Sequence, residues 1–361
     1  MRVVVVGGLG NFGARICTRL SLESDIEIVA TSRHRSHGEP ASCPTVLLDV
    51  HAPDLASKIR SLAPDLVIHC AGPFQGQDYR VALAALACGA HYLDLADGRD
   101  FVAGFVAAIG PAAEAARRVA ITGASTLPAL SSAVVDSLRV VFAELSAIDM
   151  VIAPAQHARR GAATIAAVLG YAGQSFAWWE RGEWRTVHGW QGLERQQFSF
   201  GNRLSAACDV PDLELFPARY AGVQSVTFRA ALEVSLQHYG LWMISACRRM
   251  GLPMPISHWG TSLDRIGTWL NRLGTETGGM TVRVIGRTHE GRQLSRTWEL
   301  VAESNHGPEI PCMASVILAS RLARGERFSS GAQVCMGLLG LSDFEPEFAR
   351  WSISTGVRTD L

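Results

Sequence analysis

Lysine is almost absent from this sequence of 361 residues, in which Lys58 is the only one. Schiff-base chemistry, a P-loop and a Ser–Lys pair each require a lysine in a defined motif, and the stretch around Lys58 (PDLASKIRSLAP) contains none of these motifs. The G-x-S-x-G elbow of serine hydrolases is missing as well. The sequence therefore gives no support to a hydrolase or to these lysine-dependent classes of protein.

A charge excess of either sign is also missing, since 33 basic residues balance 33 acidic ones. Nucleic acids and anionic membranes bind proteins with a basic excess, so we expect neither as a partner. The eight cysteines include no CxxC pair and no Cys/His cluster with zinc-ligand spacing, so we expect no metal. Apolar runs such as CMASVILASRLA are too short to cross a bilayer, and the N-terminus lacks the pattern of a secretory leader. We expect a cytoplasmic protein without an integral membrane segment.

Six apolar runs alternate with helix-like stretches in the first 125 residues. The runs are RVVVVG, IEIVATS, TVLLDV, DLVIHCAG, HYLDLA and RVAITG. Such runs are typical of parallel strands buried on both faces. Their alternation with helices predicts an α/β fold, in which residues 1–125 form a Rossmann domain with a doubly wound parallel sheet.

Beyond residue 125 the pattern becomes irregular, and all nine tryptophans lie after residue 177. We expect a second, mixed α+β domain over residues 126–361, for substrate binding and oligomerisation, whose C-terminal segment could pack back on the Rossmann domain. The tryptophan-rich stretch AWWERGEWRTVHGW is a candidate pocket wall or oligomer contact, although such aromatic residues more often pack in a core. Four strands are predicted at MVIAPA, VQSVTFRA, MTVRVIGR and LSRTWELVA, the last two joined by a turn at Gly291.

The strongest local motif follows the first predicted strand, where Gly8, Gly10 and Gly13 form G-x-G-x-x-G. The first glycine of this motif allows a tight turn, the second lets the backbone approach a pyrophosphate, and the third permits close packing of helix on strand. The helix N-terminus then presents N–H groups to the phosphates. In this strand–turn–helix setting the motif predicts a nicotinamide dinucleotide site, with Asn11 and Phe12 completing the loop.

The choice of dinucleotide depends on the end of the second strand. An NAD site usually has an acidic residue there to bind the ribose hydroxyls, but this sequence has Ser32 and Arg33. An arginine can bind a 2′-phosphate with two hydrogen bonds, so we expect NADP, with NAD as the alternative. The alternative that Arg33 is an ordinary solvated loop residue remains open. Asp49, after the third strand, is a candidate neighbour of the adenine or a local cap.

Several longer stretches resemble the saccharopine dehydrogenase-like oxidoreductases. They are HCAGPFQGQ, VALAALACGAHYLDLADG, TGASTLPALSSAVVD, RRGAATIAAVLGYAG and HGPEIPCMASVILASRLARGE, in the same order over nearly the whole chain. The resemblance implies an NADP-binding Rossmann domain joined to an α+β domain, with the substrate site between them. It also implies reduction or oxidation of an amino acid or polyamine precursor, often at a C=N bond. Other members are proposed enoyl reductases of lipid pathways.

The ends of the fourth, fifth and sixth strands are the expected walls of the nicotinamide site, because ligands of such sheets bind beyond the carboxyl ends of the strands. The fourth strand is followed by small residues and an aromatic one, which we expect to contact the cofactor: Ala71, Gly72, Pro73 and Phe74. For Phe74, packing in the core is an equal alternative.

Two acids and an arginine are the candidate catalytic residues. Asp94 and Asp97 follow the fifth strand, and a hydride transfer to C=N or C=O also requires a proton. Many members of the resembled family have a Thr-Gly-Glu sequence at this place, whereas this chain has Ala96-Asp97-Gly98. One of the two aspartates could instead cap the next helix. Arg160 lies between a predicted strand and a predicted helix, where it could hold a substrate carboxylate.

These features together predict an NADP-dependent oxidoreductase acting on a small molecule, with an amino or imino acid as the favoured substrate. An enoyl reductase acting on a lipid thioester and a dinucleotide-binding protein without activity remain alternatives. The oligomeric state is open, and a homodimer is among the arrangements that the sequence allows.

Overall fold

The computed structural model describes residues 1–34, 43–158, 170–252 and 270–360. Two compact units make up the chain: Met1–Ser132 with Pro308–Leu339, and Ala133–Gly307 with Gly340–Leu361. The chain therefore passes from one unit to the other three times. Segment 308–339 belongs to the first unit although it lies far along the sequence.

The first unit contains a seven-stranded parallel sheet. Its order is β15-β6-β5-β4-β1-β2-β3, with bounds β1 Arg2–Val6, β2 Glu27–Ser32, β3 Thr45–Leu47, β4 Leu66–His69, β5 His91–Asp94, β6 Val119–Thr122 and β15 Gly331–Val334. The predicted Rossmann arrangement is confirmed, and each of the six apolar runs forms a strand. The seventh strand, β15, pairs with β6 and comes from the returning C-terminal segment.

The helices of this unit follow the predicted alternation with the strands. They are α1 Asn11–Leu20, α2 Leu55–Ser61, α3 Arg80–Ala87, α4 Arg99–Ala116 and α8 Ile310–Ala323, and α5 Ser131–Leu138 begins in this unit and continues into the second. Helix α4 buries one side chain per turn over much of its length, namely Phe101, Phe105, Ile109 and Ala113. This spacing of four residues fixes the face that packs inward.

The second unit contains a mixed sheet with the path β10-β11-β12-β7-β13-β14-β16, and β8 joins β12 to β9. The bounds are β7 Phe142–Ala153, β8 Ser175–Glu180, β9 Glu183–His188, β10 Glu194–Phe198, β11 Gly201–Ala207, β12 Ser225–Leu232, β13 Gly278–Thr288, β14 Gln293–Ala302 and β16 Ile353–Asp360. Its helices are α6 Asp212–Arg219, α7 Ser235–Arg249 and α9 Leu341–Phe348. A mixed sheet with helices confirms the predicted α+β character of this part.

Two sequence features of the second unit have a clear structural outcome. Gly291 adopts a φ of 82° in the turn between β13 and β14, as the predicted hairpin requires. The tryptophan-rich stretch forms the hairpin β8–β9, in which Trp178 is buried and Trp184 is 46% exposed. The tryptophan-rich stretch therefore contributes to the core with only some of its aromatic side chains. No helix in the described part of the chain has both the length and the apolar character that a membrane span needs.

Candidate functional site

The glycine-rich loop makes its turn at Gly7, one residue earlier than the sequence pattern indicates. Gly7 has a φ of 79°, whereas Gly8 lies outside the left-handed region and its N–H donates to the carbonyls of Val5 and Thr31. A Cβ atom on Gly8 would lie 2.7 Å from the Cβ of Ala30 on β2. Gly8 therefore lets the loop pack against the sheet, and Gly7 supplies the conformational freedom that we assigned to Gly8.

The N-terminus of α1 is open to a ligand. Gly10 is its N-cap, no side chain caps the helix there, and the first turn, which begins with Asn11 and Phe12, contains no acidic residue. A Cβ atom on Gly10 would meet only the carbonyl oxygen of Gly7, at 3.1 Å. At Gly13 a Cβ atom would clash with that same oxygen, so this glycine sets the close packing of helix on strand. The loop thus fits a pyrophosphate, which the N–H groups and the dipole of α1 would bind.

The residues expected to choose between NAD and NADP lie at the carboxyl end of β2. Ser32 ends the strand, and Arg33 follows it with an exposed side chain. The Oγ of Ser32 accepts a hydrogen bond from the N–H of His34 (3.4 Å). No acidic side chain occupies positions 31–34, which is the region where an NAD site places its carboxylate.

Asp49 lies two residues beyond β3 and forms a local turn. Its Oδ1 accepts a hydrogen bond from the N–H of His51 at 3.0 Å, and its side chain is exposed. Helix α2 begins only at Leu55, with Asp54 as its N-cap, so Asp49 does not cap it. The structure therefore gives Asp49 a role in the chain reversal after β3.

The loop after β4 is held by a glutamine that the sequence analysis did not single out. The Nε2 of Gln77 donates to the carbonyl oxygens of Ala71 (2.8 Å) and Pro73 (2.6 Å). A Cβ atom on Gly72 would have no neighbour closer than 3.8 Å, so a ligand can approach the backbone here. Phe74 is 4% exposed and packs edge-on against Phe101, which shows that its ring belongs to the core.

Asp94 is completely buried and ties the ends of neighbouring strands together. Its Oδ1 accepts hydrogen bonds from the N–H groups of Ala96 (3.0 Å) and Gly123 (2.8 Å) and from the hydroxyl of Thr122 (2.9 Å). Burial raises the pKa of Asp94 to about 6, although these donors favour the charged form. None of the surface of Asp94 is exposed, and its hydrogen bonds join the residues that follow β5 to those at the end of β6.

Asp97 is exposed, in contrast, and lies just before α4. Its Oδ1 accepts a hydrogen bond from the Nε2 of Gln75 at 3.4 Å. The side chain is accessible to water, but the surrounding protein partly desolvates the carboxyl group, and this desolvation raises the pKa of Asp97. The N-cap of α4 is Gly98, and no side chain bonds there, so neither aspartate caps this helix.

A buried histidine lies beside Asp94 on the neighbouring strand. His69 ends β4 and is the register partner of Asp94 on β5. Its Nδ1 lies 3.1 Å from the hydroxyl of Tyr92, and its ring packs edge-on against Phe74. Burial lowers the pKa of His69 from 6.5 to about 4, so the imidazole is neutral at physiological pH.

The His69→Asn variant should lose less stability than the wild type on acidification. Between pH 6.5 and 4 the unfolded chain protonates His69 and the folded protein does not, so stability falls as the pH falls. This residue alone should cost the wild type about 2–3 kcal/mol between pH 7 and 4.5. Urea unfolding at both pH values measures this difference. Asp94 acts in the opposite direction, because its raised pKa adds stability as the pH falls through about 6, and both proteins retain it.

A matched control is His289→Asn, which replaces an exposed histidine. This control should show the same pH dependence as the wild type. An equal loss of stability in His69→Asn and the wild type would contradict the assignment of a buried neutral imidazole.

The predicted substrate anchor cannot be placed, since Arg160 lies outside the described residues. The residues before it belong to the second unit and are firmly held. Gln156 donates from its N–H to Glu233 (2.8 Å) and from its Nε2 to Asn271 (3.0 Å). A ring nitrogen of His157, Nε2, lies 2.7 Å from the carbonyl oxygen of Asn271. His157 is thus held by the backbone at residue 271.

The fold is similar to those of known dinucleotide enzymes, although no profile of a known protein family and no curated protein matches the sequence. Saccharopine dehydrogenase (L-Glu forming) from Saccharomyces cerevisiae has 12% identity and a TM-score of 0.70, with 100% of both chains covered. Homospermidine synthase from Legionella pneumophila, in complex with NAD, has 8% identity and a TM-score of 0.63, covering 99% of this chain and 91% of its own. At these identities the likeness establishes the fold, which is the two-domain fold that the sequence resemblance implied.

Proposed function

We propose that the protein is an NADP-dependent oxidoreductase that transfers a hydride to or from a small substrate at a C=N or C=O bond. The observation that carries this proposal is the open, glycine-lined N-terminus of α1, in a Rossmann sheet whose β5 is followed by the accessible acid Asp97. A dinucleotide and a proton donor are what such a reaction requires. The residues proposed to bind the dinucleotide, the positions after β2 that lack an acid, and the proposed proton donor all follow strands of one sheet.

The residues that would hold the dinucleotide follow β1, β2 and β4. The N–H groups at the start of α1 would bind the pyrophosphate, with Gly10 leaving room for it. Arg33 would bind the 2′-phosphate, and the backbone at Gly72 would lie against the nicotinamide half. The bound dinucleotide supplies the hydride.

Asp97 would hold the proton that the substrate takes up or releases. A carboxyl group with a raised pKa is a better proton donor near neutral pH than an ordinary aspartate, because a larger fraction is protonated. Asp94 would support the position of Asp97 by fixing the ends of β5 and β6 through its hydrogen bonds. In this proposal the two aspartates have different roles: Asp97 is accessible and holds the proton, whereas Asp94 is buried and supports the strand ends.

An amino or imino acid is the substrate class that we favour. The two fold neighbours are named for making glutamate and homospermidine, which both carry amines. This agrees with the sequence resemblance, which points to amino acids and polyamine precursors.

Native mass spectrometry of the purified protein would test the cofactor, and a panel of imino acids and enoyl thioesters with NADPH would test the substrate. We expect a co-purified or added NADP to bind and an imino acid to accelerate the oxidation of NADPH. Oxidation with enoyl thioesters alone would contradict the substrate class. Dinucleotide binding without turnover on any substrate would contradict the enzymatic proposal.

The Arg33→Ala variant should lose about tenfold or more of its affinity for NADPH, because a charge-assisted hydrogen bond to the 2′-phosphate contributes roughly 1.5–3 kcal/mol. Its affinity for NADH should hardly change, since NADH lacks that phosphate. Fluorescence titration with both dinucleotides measures the two effects. A wild-type protein that already prefers NADH would show that the assignment of NADP is wrong.

A further inference from the structure

Gln75 bridges the loops after β4 and β5. Its Nε2 donates to the Oδ1 of Asp97 at 3.4 Å. Its Oε1 is buried and has no hydrogen-bond partner within the described part of the chain. A buried amide oxygen without a partner is uncommon and calls for a reason. One end of this carboxamide thus faces the proposed proton donor, and the other end is unsatisfied.

The two loops are held against each other, so this contact is not an accident of a free side chain. A Cβ atom on Gly98 would lie 3.1 Å from the carbonyl carbon of Phe74 and 3.3 Å from the amide nitrogen of Gln75. Glycine at 98 therefore allows the loop of Asp97 to approach the loop of Gln75. Gln77 fixes the other side of that loop through its two hydrogen bonds to the backbone.

We propose that Gln75 is a positioning residue for Asp97, and that its carboxamide serves both protonation states of that acid. When Asp97 is ionised, the N–H of Gln75 donates to it, as in the structure. When Asp97 carries its proton, rotation of the carboxamide by a half-turn brings Oε1 to the carboxyl group, whose O–H then donates to it. The proton on Asp97 is the only atom gained or lost.

The chemistry of the amide explains why a glutamine suits this place. A carboxamide has two donors at one end and an acceptor at the other, and their exchange leaves its shape unchanged. Asp97 therefore keeps one position whether or not it holds the proton. Partial removal of solvent raises the pKa of Asp97, and hydrogen bonds from its own backbone and from Gln75 lower it.

Gln75→Met is the direct test, since methionine has nearly the same length and cannot form these hydrogen bonds. The protein is labelled with 13C at the aspartate carboxyl carbon, and the Asp97→Asn spectrum identifies the signal of Asp97. Titration of the free protein gives the pKa of Asp97. Gln75→Met removes a hydrogen bond from both protonation states, but the bond to the ionised carboxylate is charge-assisted and is the stronger of the two. We therefore expect the pKa of Asp97 to rise by roughly 0.5 to 1 pH unit in Gln75→Met.

Two further variants complete the experiment. Gln75→Glu places a second carboxylate beside Asp97, so the pKa should rise further than in Gln75→Met. Gln197→Met replaces an exposed glutamine on β10 and should leave the pKa of Asp97 unchanged. A pKa in Gln75→Met within about 0.2 pH unit of the wild-type value would overturn the proposal, because the limit is well below the shift expected for a lost charge-assisted hydrogen bond.

The rotation has its own signature in the wild-type protein. The side-chain N–H signals of Gln75 should titrate with the same midpoint as the carboxyl carbon of Asp97, whereas those of Gln77 should not follow it. Gln75 signals that do not respond to pH would show that the carboxamide does not change partners.

The inference rests on the proposed proton-donor role of Asp97, but the experiments can contradict the role of Gln75 and the role of Asp97 independently. The titrations use the free protein, so they give the same result whether or not a substrate is ever found. Full turnover in Asp97→Asn would overturn the donor role even with coupled titration. With turnover established, Gln75→Met should shift the pH profile of kcat as far as it shifts the pKa of Asp97, with little change in KM.

Discussion

Replacing Gly10 with valine is expected to abolish the binding of both NADPH and NADH. Gly10 has φ −75° and ψ 173°, a backbone conformation that valine can adopt. The Cβ atom of valine would lie 3.1 Å from the carbonyl oxygen of Gly7, so the loop has to shift slightly to accommodate it. The valine side chain would occupy the open space at the N-terminus of α1, where the pyrophosphate is proposed to bind. Crowding of this kind costs about 1–3 kcal/mol and occasionally more, and the upper end of this range corresponds to an affinity loss of roughly 100-fold or greater. Fluorescence titration with both dinucleotides measures the loss.

The appropriate control is Gly110→Val in α4, because a Cβ atom there meets nothing within 4 Å. This variant should bind both dinucleotides like the wild type. Thermal unfolding of the two variants checks that each is folded. If Gly10→Val is folded and retains wild-type affinity, the phosphate loop has been assigned to the wrong place.

The Asp97→Asn variant is expected to lose turnover while it keeps its affinity for the dinucleotide. Asparagine has the same shape and cannot transfer the proton, and a general acid contributes roughly 10²- to 10⁴-fold to a rate. We therefore expect kcat to fall by about 100-fold or more, measured as NADPH oxidation with the substrate identified in the panel. The affinity for NADPH, measured by titration, should remain within about twofold, since this change removes only the group that transfers the proton.

Asp100→Asn is the matched control, because Asp100 is an exposed acid three residues away in the first turn of α4. Its removal should lower stability slightly, since an acid near a helix N-terminus is favourable, and should leave kcat unchanged. Equal kinetics in Asp97→Asn and the wild type would show that Asp97 is an ordinary surface residue. The group that transfers the proton would then have to be sought elsewhere in the chain.

The strands of the first unit were predictable because their signal is local. A strand buried on both faces needs a continuous run of apolar residues, and each such run can be recognised without its neighbours. The glycine-rich turn before α1 was predictable for a related reason, since its glycines serve a single short turn. Even there, the assignment of the turn to Gly8 was one residue late. Two adjacent glycines look alike in sequence, and only the backbone shows that Gly7 has the positive φ.

The different environments of Asp94 and Asp97 could not be predicted, because both acids lie at the carboxyl end of the same strand. Their separation depends on partners from elsewhere in the chain, namely Thr122 and Gly123 for Asp94 and Gln75 for Asp97. Phe74 shows the same limit. Its place in the core depends on contacts with His69 and Phe101, which lie on other elements.

By itself, the sequence determined the Rossmann sheet, the glycine loop at its first helix and the lack of an acid after β2, since each is a property of a few consecutive residues. Only the tertiary structure decided that Gly331–Val334 adds a seventh strand beside β6, that one aspartate is buried and its neighbour accessible, and that Gln75 faces the accessible one. Burial and hydrogen-bond partners are set by residues far apart in the chain, and a reading of consecutive residues contains no information about which of them meet.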